Sequence, residues 1–154
     1  MNRAHQGNYL DLCDIQYLND ILRATAKDDQ VRATFLKSIH PSKFSLGTLY
    51  KDYSDLLYAR EHIYQTYMLA ANIAQYNKPL VAIMNGQTSN SALPFLYASH
   101  ACYNTNMRLS ITDSGTPLTG GISYNLIRAP IPVSLCCAMC NFTLDEAEAT
   151  YLFH

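Results

Sequence analysis

The residues whose types and spacing could do chemistry run from Asn77 to Ser99, N-K-P-L-V-A-I-M-N-G-Q-T-S-N-S-A-L-P-F-L-Y-A-S. Lys78-Pro79 leads into Leu80 to Met84, an unbroken apolar run suited to a strand covered on both faces, and Asn85-Gly86 turns it. A polar loop, Gln87 to Ser91, separates that strand from a second apolar segment, Ala92 to Ala98, read as a helix. A loop that leaves the carboxyl end of a strand beside a helix N-terminus collects unpaired backbone N–H groups, and these hold anionic groups. Charge stabilisation by backbone donors is therefore the chemistry to look for. Other constellations are poorer. None of His5, His40, His62, His100 or His154 pairs with a Cys or Ser in a motif, so no imidazole-activated nucleophile is predicted. Cys137-x-x-Cys140 has half the spacing of a zinc site, but no second Cys or His pair stands at ligand distance; buried apolar thiols on a helix are the ordinary reading, and no metal is expected.

The elements that position this stretch can be read in order. Asn8 to Leu12 reads as extended, and Asp14 as the cap of a helix carrying Ile15, Leu18, Ile21 and Leu22, which Lys27-Asp28-Asp29-Gln30 ends. Val31 to Leu36 alternates as a half-buried strand does, and Ser38 to Ser45 reads as loop. From Asp52 to Tyr76 runs the longest helical pattern, about 35 Å at ~1.5 Å per residue. Its stripe of Tyr53, Leu56, Leu57, Ile63, Tyr64, Tyr67, Met68, Ala71 and Ala74 is taken as core packing rather than a ligand platform. Met107 to Ile111 is a short strand, Gly115 to Gly121 a turn-rich loop and Ser134 to Cys140 a short apolar helix. Thr143-Leu144-Asp145-Glu146 is a capping-box sequence that opens another helix. No internal repeat, linker or low-complexity segment is visible.

Composition narrows the classes. A chain of 154 residues is one domain's worth, long enough to bury about 70% of its unfolded surface. Net charge is −1 and charged residues make up 15%, against a usual ~25%. That deficit tilts towards a chain covered by protein partners. The near-zero charge argues against broad phosphate-backbone binding and leaves room only for a peripheral RNA contact. Five cysteines in uneven spacing point to a reducing interior rather than a disulfide scaffold. No apolar run of ~18 residues exists, so no membrane span is predicted. Met1 to Gln6 holds no acid but is too short to read as a transit peptide, and Asn141-Phe142-Thr143 matches a glycosylation acceptor by spacing alone.

The wording from Tyr76 to Thr88, with its K-P-x-x-A-x-x-x-G core, resembles the crotonase (enoyl-CoA hydratase/isomerase) superfamily, and most of all its 3-hydroxyisobutyryl-CoA hydrolase branch. Asn8-Tyr9-Leu10-Asp11, Asp28-Asp29-Gln30-Val31-Arg32, Phe44-Ser45-Leu46-Gly47 and Gly120-Gly121-Ile122-Ser123-Tyr124 follow in the family's order. The resemblance implies an α/β fold, a crotonase-like (ClpP/crotonase) spiral of strand-strand-helix units. It also implies that residues 1–154 form a single truncated domain, with most of the first strand and the C-terminal oligomerisation helices missing.

The resemblance also implies an oxyanion hole for a CoA thioester. One N–H belongs to Thr48, after the F-x-x-G glycine. The second belongs to a Gly-Gly-Gly run, where Asn90, Ser91 and Ala92 stand, and such donors are worth roughly 3–4 kcal/mol each. Asn tolerates a left-handed turn, whereas the Ser91 and Ala92 side chains would crowd the thioester. The hydratase Glu position holds Pro94, which handles no proton. The second family carboxylate is matched by Asp113, one carbon shorter, and the hydrolase Asp is replaced by Leu118 in a shortened loop. On the CoA side, Leu49 stands where an acid is usual, and Lys51 reads as solvated.

The expectation is a catalytically inactive crotonase-fold protein, a structural subunit of a large assembly on the matrix side of the mitochondrion. A hydrolase-like protein of this branch belongs to the mitochondrial ribosomal small subunit in several lineages, and a respiratory complex is the other home considered. Partners are protein subunits, and no cofactor is expected. The alternative is a residual acyl-CoA hydrolase or hydratase with Thr48 and the Asn90/Ser91 backbone as donors and Asp113 as base, which alone calls for a CoA thioester. A non-catalytic CoA sensor is the third.

Overall fold

The first helix, α1 (Leu12–Lys27), starts at a reciprocal cap: the Asp11 carboxylate accepts from Asp14 N–H at 2.9 Å, and Asp14 returns the bond to Asp11 N–H at 3.1 Å. Asp11 is therefore the cap, and Asp14, expected to cap, is the third helical residue. The computed structural model describes residues 7–47, 55–89, 95, 98, 100–103, 106, 108–110 and 143–145. At the far end of α1, Lys78 Nζ donates to the Thr25 and Asp28 carbonyls at 2.7 and 2.6 Å. A cation on the last carbonyls of a helix both satisfies them and meets the negative end of its dipole. The Lys of the Lys78-Pro79 pair is thus a structural cap rather than a mere approach to a strand.

The strands fall into two sheets. One has the order β1-β3-β5, formed by β1 (Thr34–Lys37), β3 (Leu80–Met84) and β5 (His100–Tyr103), all parallel. The other has the order β2-β4-β6-β7, with β2 (Lys43–Ser45), β4 (Gln87–Ser89) and β6 (Arg108–Ser110) parallel and β7 (Thr143–Asp145) antiparallel at the end. Along the chain the sheets alternate: β1 then β2, β3 then β4, β5 then β6. Each turn adds one strand to each sheet, which is the expected strand-strand spiral.

Several segments differ from the sequence reading. Ser38 to Ser45, read as loop, contains β2, and the polar loop after Gly86 begins as β4. Both are three-residue strands, too short for periodicity to register and held by ladder bonds to neighbouring turns. Thr143, expected to cap a helix, instead starts β7 with Thr143 opposite Ser110; pairing with β6 overrides a local capping signal. β1 begins at Thr34 rather than Val31, and its outward Phe35 is 65% exposed. In β3 Leu80, Ala82 and Met84 are buried while Ile83 is 37% exposed, so one face is covered fully and the other partly.

The second helix, α2 (Leu56–Ala74), is capped by Asp55, whose carboxylate accepts from Leu57 and Tyr58 N–H. The largest correction concerns its face. Buried are Ala59, His62, Thr66, Leu69, Ala70 and Ile73, whereas Leu56, Leu57, Tyr64 and Tyr67 are 79%, 77%, 55% and 46% exposed. α2 is tied to α1 through a buried Asn19 that donates to the Gln65 carbonyl at 2.9 Å and accepts from Asn72 Nδ2 at 2.8 Å. The aromatic positions are left outside. Tyr53 lies outside the described residues.

Candidate functional site

β2 and β4 lie side by side and run the same way, with Ser45 opposite Thr88. Their carboxyl ends therefore open on one edge of the molecule, and each leads into a segment singled out by the sequence: Gly47 precedes Thr48, and Ser89 precedes Asn90.

The Phe44–Gly47 turn is held from the N-terminal side. Asn8, in the left-handed region at φ 54° and fully buried, donates through Nδ2 to Ser38 Oγ at 2.6 Å and to the Lys43 and Phe44 carbonyls at 3.3 and 3.2 Å. Its carbonyl accepts from Ser45 Oγ at 2.8 Å, and Ser45 Oγ in turn accepts from Gly47 N–H at 3.2 Å. Leu10 N–H donates to the Gly47 carbonyl at 2.8 Å, and Leu46 N–H to the Gly7 carbonyl at 3.2 Å. Gly47 has φ 91°, a conformation that favours glycine. Residues 7–10 are thus a strap that fixes the turn.

The bend between β3 and β4 is fixed from the other side. Gly86 has φ 67°, and a side chain there would run into the Ser42 backbone carbonyl. The Ser42 carbonyl accepts from Gln87 N–H at 2.9 Å, the Gly86 carbonyl accepts from Arg108 N–H at 3.0 Å, and Asn85 Nδ2 donates to the His40 and Pro41 carbonyls. The Asn85-Gly86-Gln87 bend therefore bonds both to the segment before β2 and to β6. Beyond β4, Phe95 is buried edge-on against Phe44, centroids 6.0 Å apart at 80°, and Ala98 N–H donates to the Phe95 carbonyl. This ring pair ties the segment after β4 back to the F-x-x-G strand. Thr88 Oγ1, fully buried in β4 between β2 and β6, has no hydrogen-bond partner.

The six positions named from sequence, Thr48, Asn90, Ser91, Pro94, Asp113 and Leu118, all lie outside the described residues, as do the Gly115 to Gly121 loop and Cys136, Cys137 and Cys140. The structure brings together the anchors of the first two and says nothing of the carboxylate. Among the described residues no group of three or more His, Cys, Asp or Glu could hold a metal ion, and no helix is long and apolar enough to cross a membrane. Burial pushes the His62 imidazole below its ordinary pKa, against the opposing pull of a hydrogen bond to the Leu10 backbone and of the Asp11 charge. Nothing in the His62 neighbourhood of the sequence signals that contact. Asn8 had a signal, its place in the Asn8-Tyr9-Leu10-Asp11 segment, but its role appears only when the strap is seen on β2.

The geometry has close parallels among solved structures. An enoyl-CoA hydratase from Rhodobacter sphaeroides superposes with TM-score 0.86 at 19% identity, over 97% of this chain and 47% of that one. An enoyl-CoA hydratase/isomerase from Marinobacter aquaeolei gives 0.87 at 17%, over 99% and 62%. Human enoyl Coenzyme A hydratase domain-containing protein 3 gives 0.82 at 17%, over 94% and 59%. At such identities the likeness shows the crotonase-like fold, and the chain spans roughly half to three-fifths of these neighbours' length. No curated protein matches the sequence. Residues 1–152, however, match the enoyl-CoA hydratase/isomerase family over nearly the whole chain, and the chain belongs to that family.

Proposed function

We propose that this protein is a catalytically silent member of the crotonase superfamily, nearest its 3-hydroxyisobutyryl-CoA hydrolase branch, that acts as a structural subunit of a protein assembly. The observation that carries the reading is chemical: the segment leaving β4 begins Asn90-Ser91-Ala92 and reaches Pro94, where the resemblance calls for glycines and a proton-transferring Glu. Backbone donors act on an oxyanion only where the acyl group can approach them closely. The exposed Leu56, Leu57, Tyr64 and Tyr67 face of α2 supports the second half of the reading, since apolar residues clustered on one helix face mark a contact surface. We place the assembly on the mitochondrial matrix side, the ribosomal small subunit or a respiratory complex, with protein contacts first and any RNA contact peripheral. Sizing the native particle tests this: a megadalton particle is expected, and a free monomer or trimer overturns it.

A second reading, a residual acyl-CoA hydrolase or hydratase, is favoured by one observation. The Phe44–Gly47 turn keeps its strap, its glycine and a fixed Gly47 carbonyl, and a planar trans peptide ties the direction of the following N–H to that carbonyl. Thr48 and Asn90/Ser91 would then donate, and Asp113 would act as base on a CoA thioester. Crotonyl-CoA and 3-hydroxyisobutyryl-CoA offered to pure protein separate the two: no turnover supports the silent subunit, and turnover abolished by Asp113→Asn establishes the enzyme. Calorimetric CoA binding without turnover selects the sensor instead.

A further inference from the structure

The face of α2 opposite its buried one is apolar and graded in size along the helix. Leu56, Leu57, Tyr64 and Tyr67 are exposed on it, and 3.6 residues per turn set Arg60, Ala71 and Ala74 on the same stripe. The first half therefore carries the long side chains, Leu56, Leu57 and Arg60, the middle carries two tyrosines, and the second half carries alanines. Arg60, exposed, is the one charge on the stripe. The last turn of α2 holds no basic residue, and Lys78, just beyond it, is bonded to the end of α1 instead. The negative end of the α2 dipole thus has no cation from within its own helix.

A stripe graded in this way is complementary to its own reverse. When two copies of α2 pack antiparallel with their stripes fully overlapped, Leu57 faces Ala74, Arg60 faces Ala71 and Tyr64 faces Tyr67. Large meets small at both ends, and ring meets ring at the centre. A parallel pair sets leucine against leucine and alanine against alanine, crowding one end and leaving a gap at the other. Charge favours the same arrangement. Side chains lean towards the N-terminus of their own helix, so in the antiparallel pair Arg60 leans towards the C-terminal carbonyls of the other copy. In a parallel pair it leans towards the positive end. The contact has two-fold symmetry, so every pair of residues occurs twice and the association closes at two copies.

We propose that the exposed face of α2 is a self-association face, through which two copies of this chain pair antiparallel about a two-fold axis passing between Tyr64 and Tyr67. The proposal rests on the reading of that face as a contact surface and names its occupant. Sedimentation equilibrium of the purified full chain is the test. A contact made by one helix pair is small, so a reversible dimer with a dissociation constant of about 1–100 μM is expected. Tyr64→Lys is expected to weaken it about tenfold or more, and circular dichroism should hold because the position is exposed. Ala71→Glu tests the register. Arg60 and Ala71 lie ~16 Å apart along one helix and cannot meet within a chain. Across the axis the introduced carboxylate stands opposite Arg60 twice, and a gain of about fivefold is expected, lost in high salt or when Arg60→Glu is added. A monomer throughout that concentration range, a dimer indifferent to Tyr64→Lys, or one that Ala71→Glu leaves unchanged or weakens overturns the proposal. A monomeric pure chain that still belongs to a megadalton particle overturns the pairing and keeps the subunit reading; a dimer that belongs to no larger particle does the reverse.

Discussion

At the residue scale, two side chains and one absent side chain hold positions that nothing else in the chain could fill. Gly86 sits at φ 67° against the Ser42 carbonyl. Gly86→Ala combines left-handed strain with a backbone collision, and we expect a loss of about 3 kcal/mol or more in urea unfolding; a loss below ~1 kcal/mol would mean the turn can shift freely. Lys78→Met removes both Nζ bonds from the end of α1 while keeping most of the apolar stem. About 1–2 kcal/mol is expected, less in high salt, read from the same unfolding curves. His62 makes stability depend on pH. Its folded pKa lies below the unfolded value because burial disfavours the imidazolium. As pH falls the unfolded chain takes up the proton first, so this contribution is complete above about pH 6.5 and is lost progressively below it. Midpoints measured on both sides of that value should fall with acid in the wild type, and His62→Gln should flatten the fall.

At the scale of elements, α2 shows how an inference from pattern goes astray. The sequence offers an aromatic stripe from Tyr53 through Tyr67, and hydropathy alone assigns it to the core. The buried face is instead Ala59, His62, Thr66, Leu69, Ala70 and Ile73, and the hydrogen bonds between Asn19 of α1 and Gln65 and Asn72 of α2 fix how the second helix is turned. Leu57→Lys and Tyr64→Lys should therefore shift stability by no more than about 0.5 kcal/mol, as exposed substitutions do. Under the subunit reading they should release the chain from its native particle in a pull-down. Unchanged association with either variant would move the contact to another face. β2, β4 and β7 make the complementary point: three residues each and mostly polar, they exist because a neighbouring turn pairs with them.

For the whole molecule, the spiral places the F-x-x-G strand and the strand before Asn90 next to each other, although more than forty residues separate them in sequence. Under the acyl-CoA alternative that adjacency would be the architectural half of a thioester site. The other half would be the chemistry of the loops, where the silent-subunit proposal rests on Asn90-Ser91-Ala92, Pro94 and Leu118 standing at the positions for which the resemblance calls for glycines and carboxylates. Family membership and fold thus do not carry an activity with them.

Much of this was legible in the residues. Lys78-Pro79 to Gly86, Phe44 to Gly47 and Asn8 to Asp11 determined the family and the α/β class, because short motifs that depend on glycine dihedrals and caps are local and survive in sequence. The face α2 buries, the β7 pairing of a segment that reads as a helix start, the Lys78 cap on α1 and the Asn8 strap on β2 were decided only by the tertiary structure. Each depends on a partner tens of residues away, and long-range pairing leaves no trace in the periodicity of either segment alone.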